Sequence, residues 1–270
     1  MTTGNRSIVL YHPSSALRPF VRYHYIMRCR GPHSVLTFPT GCPQIIFHRK
    51  EPLFIPELSI SQSTFTISGQ TNFPSHVTIN SELEMIVTVF YPHTIGIFID
   101  TPPSQFYNIE ISGHDLGCRN LSRLASRVLD CGSPEEAVRL IETFLISKIA
   151  AMTPQPHLSR LATVIRSLME RPATTIGRLA DASCLSKKQF ERVFRHHVGM
   201  NPKEYARIVR FQKSLAMIEP GCRDYTGIAF AAGYSDQAHL IREVRTFSGL
   251  TPKLLSETGQ AYSDLYHAPA

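Results

Sequence analysis

The C-terminal third of this chain carries one pattern twice, and that repeat constrains its fold more than any other feature. Leu179-Ala180-Asp181-Ala182-Ser183-Cys184-Leu185-Ser186 is echoed by Ile228-Ala229-Phe230-Ala231-Ala232-Gly233-Tyr234-Ser235, 49 positions later. After one inserted residue the offset becomes 50, and Phe190, Arg192, Phe194, Gly199 and Pro202 meet Leu240, Arg242, Val244, Gly249 and Pro252. A repeat of this period marks one supersecondary unit used twice. Each copy reads as a short apolar-faced helix, a turn ending in Ser, and a second helix, which is a helix-turn-helix pattern.

Charge is distributed to match. Residues 1–155 hold 12 Lys/Arg against 11 Asp/Glu, whereas residues 156–255 hold 16 against 8. The whole net charge of +7 therefore lies in the repeated segment. A solvated basic face with no partner would look the same, but beside two helix-turn-helix units the excess reads as a phosphate-binding surface.

The six cysteines (Cys29, Cys42, Cys118, Cys131, Cys184 and Cys222) show no CxxC and no paired spacing, which favours free thiols over a disulfide framework. Cys184, in the turn of the first unit, reads as a small packed residue. The N-terminus has no signal-peptide pattern, and no apolar run approaches the roughly 18 residues of a membrane span. A cytoplasmic protein that contacts no membrane is expected.

The N-terminal half looks β-rich from Phe20 to about Tyr91. Val21, Tyr23, Tyr25 and Met27 alternate with Arg22, His24, Ile26 and Arg28, and short apolar stretches are cut by Pro, Gly, Ser and Asn. Many short strands with frequent turn signals predict a barrel or sandwich, cupin-like in outline. After Pro92 the pattern turns helical. Leu121, Leu124 and Val128 share one face up to Gly132; Ser133-Pro134-Glu135-Glu136 then reads as a capping box opening a helix striped by Ala137, Leu140, Ile141, Phe144 and Leu145. This helical hairpin either covers the β-structure or leaves an apolar strip for dimerisation.

Histidines 12, 24, 33, 48, 76, 93 and 114 show no HxH, HxxH or HxxxH spacing, so no local metal signature is present. No nucleophile elbow, P-loop or GxGxxG occurs, and neither a catalytic residue nor a cofactor is expected. A boundary near Ala150 to Gln155, where Ala-Ala-Met-Thr-Pro-Gln-Pro (150–156) brings in two prolines, marks a linker. The predicted class is therefore α+β in two domains: residues 1–155 β-rich with a helical hairpin, and residues 156–270 all-α.

In the second domain a helix over about 157–170 is stopped by Pro172. Thr175 caps the next helix, and Ser186 caps a helix to about His196 with Phe190, Val193 and Phe194 inward. Its outward positions are Lys187, Lys188, Gln189, Glu191, Arg192 and Arg195. Pro202 opens a longer helix to Ile218, with Tyr205, Ile208, Val209, Leu215, Ala216 and Ile218 in the core and Arg207, Arg210 and Lys213 outside. Asp224 caps the second unit and Gly233 makes its turn. A second outward-reading helix spans about Asp236 to Arg245, with Leu240 and Val244 inward and Gln237, Ala238, His239, Arg242 and Glu243 outward. Helices with one packed face and one basic, polar face suit a major groove about 12 Å wide.

The stretch from Thr175 to Pro252 resembles the DNA-binding domain of the AraC family of bacterial transcription regulators. The resemblance is carried above all by Ile228-Ala229-Phe230-Ala231-Ala232-Gly233-Tyr234-Ser235-Asp236-Gln237 and Phe247-Ser248-Gly249-Leu250-Thr251-Pro252. It implies two reading helices in successive major grooves of double-stranded DNA, and an N-terminal domain that senses a small-molecule effector or forms a homodimer. It also implies Lys188, Glu191 and Arg192, with Gln237, Ala238, His239 and Arg242, as base-edge residues. Arg can pair with guanine, Gln with adenine, Glu with cytosine, and Ala can touch a thymine methyl. Lys187, Arg195 and Arg210 fit phosphate contacts. Glu191 could instead pair with a neighbouring Lys, His239 could be a bystander, and His196 and His197 read as solvent-facing. Leu240 and Val244 depart from the aromatic residues usual at their positions.

The sequence thus points to a sequence-specific transcription regulator, an activator engaging RNA polymerase, controlled by its N-terminal half. Two alternatives are an architectural DNA-binding protein with little base preference, disfavoured by the varied outward residues, and a DNA-targeted enzyme, for which the scattered thiols offer no cluster. No ligand residue is assigned; the segment Pro39 to Phe47 is where an effector would be sought.

Overall fold

The computed structural model describes residues 6–153 and 155–259. The readings made above of the chain's start, of Pro154 in the linker and of the last residues lie outside them. Contacts divide the chain into two units. One comprises residues 1–36, 42–69 and 75–154; the other comprises residues 37–41, 70–74 and 155–270.

Among its described residues the first unit is built on ten strands: β1 (Arg6–Tyr11), β2 (Val21–Arg30), β3 (His33–Thr37), β4 (Gln44–His48), β5 (Phe54–Ile55), β6 (Ile60–Ser61), β7 (Phe65–Ser68), β8 (Ser75–Ile79), β9 (Glu82–Phe90) and β10 (Glu110–Ser112). They form two antiparallel sheets, ordered β1-β2-β9-β4-β7-β10 and β3-β8-β5-β6. One face of the larger sheet presents Ile45, Phe47, Phe65, Ile67, Ile86 and Phe90 to a short helix α1 (Gly96–Ile99) and to the hairpin of α2 (Arg119–Asp130) and α3 (Pro134–Ala150). The hairpin meets them with Leu121, Leu124, Ala125, Val128, Ala137, Val138, Ile141 and Leu145, so its apolar stripes cover the sheet. Ile45 and Phe47, in the segment singled out for an effector, are part of this core. Ser133 caps α3 by accepting from the Glu136 amide at 3.1 Å, while the Glu136 carboxylate accepts from the Gly132 amide at 3.2 Å.

The alternation predicted for β2 is interrupted. Val21 pairs with Phe90 and Tyr23 with Val89, so Arg22 is an extra residue on β2, a β-bulge. Because side chains alternate with period two, the bulge moves Val21 onto the face of Ile26, against the helices, and away from the face of Tyr23 and Met27. Both faces of β2 are largely buried.

A polar chain links the two sheets. Gln62, just after β6, accepts from His48 Nε2 of β4 at 2.7 Å through its Oε1, and its side-chain Nε2 donates to Glu110 of β10 at 3.1 Å; Ser68 of β7 donates to the same carboxylate at 2.9 Å. Burial pushes the Glu110 carboxyl up to about 7, against the two hydrogen bonds that lower it. Burial likewise pushes His48 down to about 4. Among the described residues no cluster of His, Cys, Asp and Glu is arranged to hold a metal ion, and no helix is long and apolar enough to cross a membrane.

The second unit holds seven helices among its described residues: α4 (Pro156–Glu170), α5 (Ile176–Ala182), α6 (Lys187–Val198), α7 (Pro202–Met217), α8 (Tyr225–Ala232), α9 (Gln237–Ser248) and α10 (Pro252–Thr258). Side-chain caps start most of them: Thr175, Ser186, Asn201, Asp224, Asp236 and Thr251 each accept from a backbone amide three residues on. Each cap contributes about 1 kcal/mol. α7 is buried on several sides, through Tyr205, Ile208, Val209, Phe211 and Leu215. It packs against α4 and α6 on one hand and α8 and α9 on the other. Phe190, Phe194 and Tyr205 form a run of ring contacts, each with centroids 5.6 Å apart. Burying each such ring contributes about 1.5–3 kcal/mol, more than a cap, so the apolar stripes set where the helices lie and the caps set where they begin.

The repeat is exact at its turn. Gly233 has φ +88° and its counterpart Cys184 has φ +53°, both left-handed. The left-handed turn explains why Cys184 is exposed, not packed as its sequence suggested; Ser183 is buried instead. A Cβ at Gly227 would meet the Asp224 carboxylate that caps α8, so a larger residue there would displace the cap.

Two predictions follow from these units. Gly233→Ala puts a side chain into the left-handed region and a Cβ 3.1 Å from the Ala173 amide nitrogen; it should destabilise the protein by about 1–2 kcal/mol in denaturant melts. In the β-unit, raising pH from 4.5 to about 7 ionises Glu110 in the unfolded chain before the folded one, so this group loses stability as pH rises. Over pH 4 to 6.5, His48 does the opposite, since the unfolded chain binds the proton that the folded one refuses. Relative to the parent protein, Glu110→Gln should make stability climb with pH over that interval, and His48→Gln should make it fall. Parallel pH profiles for all three proteins would refute the assignment.

Candidate nucleic-acid interface

The first reading helix, α6, begins at a capping box. Ser186 accepts from the Gln189 amide at 3.4 Å, and Gln189 Oε1 accepts from the Ser186 amide at 3.1 Å and from its hydroxyl at 3.0 Å. Gly199 ends the helix in the left-handed conformation (φ +97°), its amide donating to Arg195 O. Phe190, Phe194 and Val198 are buried against the core. The opposite face exposes Lys187, Lys188, Gln189, Glu191, Arg192 and Arg195. The side chains of Lys187, Lys188, Glu191, Arg192 and Arg195 make no hydrogen bond or ion pair with another described residue, so Glu191 is not held by a lysine.

The second reading helix, α9, has the same plan with a longer end. Asp236 accepts from the His239 amide at 2.7 Å, which holds its own carboxyl below the usual range. The helix runs to Ser248, three residues past the predicted stop, because Gly249 (φ +72°) terminates it. Leu240, Val244 and Phe247 are buried, while Gln237, Ala238 and Arg242 are exposed. Gln237 accepts from the Thr226 hydroxyl of α8 at 3.0 Å. His239 is half-buried, its ring edge-on to Tyr234 at 5.1 Å and its Nδ1 3.1 Å from the Ser235 hydroxyl.

Three residues predicted as outward are not. Glu243 is 9% exposed and ion-paired with Arg207 of α7 at 2.9 Å. Arg207 is therefore not free for phosphate. Arg210 is half-buried with its guanidinium 5.7 Å from the Tyr234 ring centre, so it packs behind the turn of the second unit instead of standing on a reading face. Phe211, absent from the predicted core, is fully buried, although its i+3 and i+4 spacing to Ile208 and Leu215 was a readable signal. His196 is exposed, but His197 is half-buried between His196 and His157, and burial lowers it to about 4. It is a neutral packing residue.

The two helices thus share a construction: a side-chain cap, a buried stripe against α7 and its neighbours, and an exposed cationic and polar face. Arg192 and Arg242 occupy equivalent places on those faces. Such faces can pair with base edges and neutralise phosphates.

Comparisons with known proteins agree with this construction. Residues 179–257 match a family described as a helix-turn-helix domain, and residues 10–112 match a domain of unknown function, DUF6597. An uncharacterized HTH-type transcriptional regulator of Haemophilus influenzae is 27% identical over 177 residues, covering 63% of this chain and 57% of the relative. The HTH-type transcriptional regulator ArgR of Pseudomonas aeruginosa is 26% identical over 98 residues, 36% of this chain and 30% of its own. The regulatory protein ada of Salmonella typhimurium is 29% identical over 119 residues, 43% and 33% respectively. The matched regions thus span from 30% to 57% of the relatives' lengths. Among solved structures, ToxT from Vibrio cholerae aligns over 93% of this chain and 98% of its own at 9% identity and TM-score 0.43. The DNA-binding domain of AdpA, solved with a target DNA, aligns over 40% of this chain and 96% of its own at 20% identity and TM-score 0.35. The family match lies over both units of the repeat, and the segment from Leu179 to Glu257 is a helix-turn-helix domain of the AraC type.

Proposed function

We propose that the chain is a sequence-specific DNA-binding transcription regulator that lays α6 and α9 into successive major grooves. One observation carries the reading: two capped helices, repeated about 50 residues apart, each turn an apolar stripe inward and an uncommitted Arg outward at the equivalent position. The excess of 16 Lys/Arg over 8 Asp/Glu in residues 156–255 supplies the sequence-independent attraction to phosphate, with Lys187 and Arg195 flanking the reading positions of α6. Lys188, Glu191, Arg192, Gln237, Ala238, His239 and Arg242 are the base-edge set, and Gln189 can offer only its amide group, its oxygen being used by the cap.

The proposal extends to the rest of the chain. Residues 156–270 bind DNA, and residues 1–155 control them, through an effector or through a homodimer. Supporting the homodimer is β1, at the edge of its sheet among the described residues, whose Ile8, Val9 and Leu10 are all exposed. As an activator the bound protein would contact RNA polymerase. A ligand could shift the DNA-competent population only by its differential affinity for the two states.

Selection of binding sites from a random duplex pool with the full chain tests the reading. Two short boxes about one helical turn apart are expected; absence of any enriched motif would favour architectural binding. On the selected duplex, Arg192→Ala and Arg242→Ala should each weaken binding by about 1–3 kcal/mol and relax preference at one base step. Equal losses on selected and random duplexes would make the residue a phosphate contact.

A further inference from the structure

The two reading helices are alike in outline but are not held in the same way. In α6 the residues facing the core are Phe190, Phe194 and Val198, with Phe194 reaching the Tyr205 ring of α7 at 5.6 Å. In α9 the equivalent positions of the two phenylalanines are Leu240 and Val244, so those ring contacts are missing. Where the first unit has Val193, the second has Glu243, and this carboxylate turns inward to Arg207 of α7.

The contact is a two-pronged fork. Arg207 Nε donates to Glu243 Oε2 at 2.9 Å and to Oε1 at 3.3 Å, and a terminal nitrogen donates to Oε1 at 2.9 Å. The same guanidinium lies 5.1 Å from the centre of the Phe247 ring, one turn further along α9, and Phe247 in turn meets Phe211 of α7 at 5.3 Å. A planar guanidinium bound by two parallel hydrogen bonds fixes orientation as well as distance. Apolar contacts alone are non-directional and tolerate small rotations. Rotating α9 about its axis by one residue's spacing, about 100°, would carry Arg242 off the outward face.

The geometry points to the Arg207–Glu243 pair as the positioning element of the second reading helix: it sets the rotation of α9 on α7 and so decides which side chains of α9 meet the bases. The inference rests on the DNA-reading function proposed above. Arg207 and Glu243 touch no base in this scheme; they act through Gln237, Ala238 and Arg242. An ion pair of this kind adds little net stability compared with well-packed apolar residues, which makes register the more natural role for it.

The test uses the full chain and the two-box duplex selected with it, plus two derivatives in which one box or the other is scrambled. Arg207→Lys keeps the charge and loses the fork, and Glu243→Gln keeps the shape and loses the ion pair. The double variant R207M/E243L replaces the pair with apolar contact and so guards against a mere failure to fold. All three should retain discrimination at the box read by α6, within about twofold. Discrimination at the box read by α9 should fall by about tenfold, and in R207M/E243L this should occur with a melting temperature at or above that of the parent. Base discrimination by R207M/E243L equal to the parent's at both boxes would overturn the inference. So would a loss of affinity that is equal on both boxes and on random duplex, since that marks a purely fold-stabilising pair. If the parent itself prefers neither box to scrambled sequence, the DNA-reading function falls, and the inference with it.

Discussion

Everything in the helical unit depends on α7 being packed on more than one side at once. Helix α4 and the α6 helix of the first helix-turn-helix unit lie against it, as do α8 and α9, the second unit. Tyr205, Ile208, Val209, Phe211 and Leu215 fill those contacts, so little of a sixteen-residue helix remains for solvent. A helix covered on nearly all sides must pair the polar groups that it buries. The enclosure is what converts two short helical pairs, each too small to bury a core alone, into one object with two outward faces.

The same constraint explains the fate of the α7 cations. Arg207 and Arg210 lie where a periodicity argument leaves them outside, yet the neighbouring helices close over them. Each responds as a desolvated cation must: Arg207 finds the Glu243 carboxylate and Arg210 the face of Tyr234. Charges on the central helix therefore become internal fasteners, while Arg192 and Arg242, on the outer helices, stay exposed and uncommitted.

In the β-rich unit a different compromise holds. Covering one face of the larger sheet with the α2–α3 hairpin makes a dry core, but the linked side chains of His48, Gln62, Ser68 and Glu110 remain between and beside the sheets. Their hydrogen bonds satisfy much of the polar demand without cancelling the cost of burial, which leaves a histidine that resists protonation and a carboxyl that resists ionisation.

Local chemistry was legible in the sequence wherever one residue type is enough to set the structure. Ser186, Asp224 and Asp236 announce helix starts because few side chains can satisfy a free amide, and Gly233 announces the turn because few residues accept positive φ. The 49-residue echo disclosed the two units, and the alternating and helical periods disclosed the β-rich half and its hairpin. What required the tertiary structure was every choice made by a distant neighbour. Cys184 takes the left-handed conformation because its turn repeats the one that Gly233 makes in the second unit. The Arg22 bulge is visible only against β9, since register belongs to two strands. Glu243 is inward because Arg207, 36 residues away, can reach it. Sequence periodicity determines which face of a helix is apolar; only packing decides whether a charge on its border meets solvent or a partner.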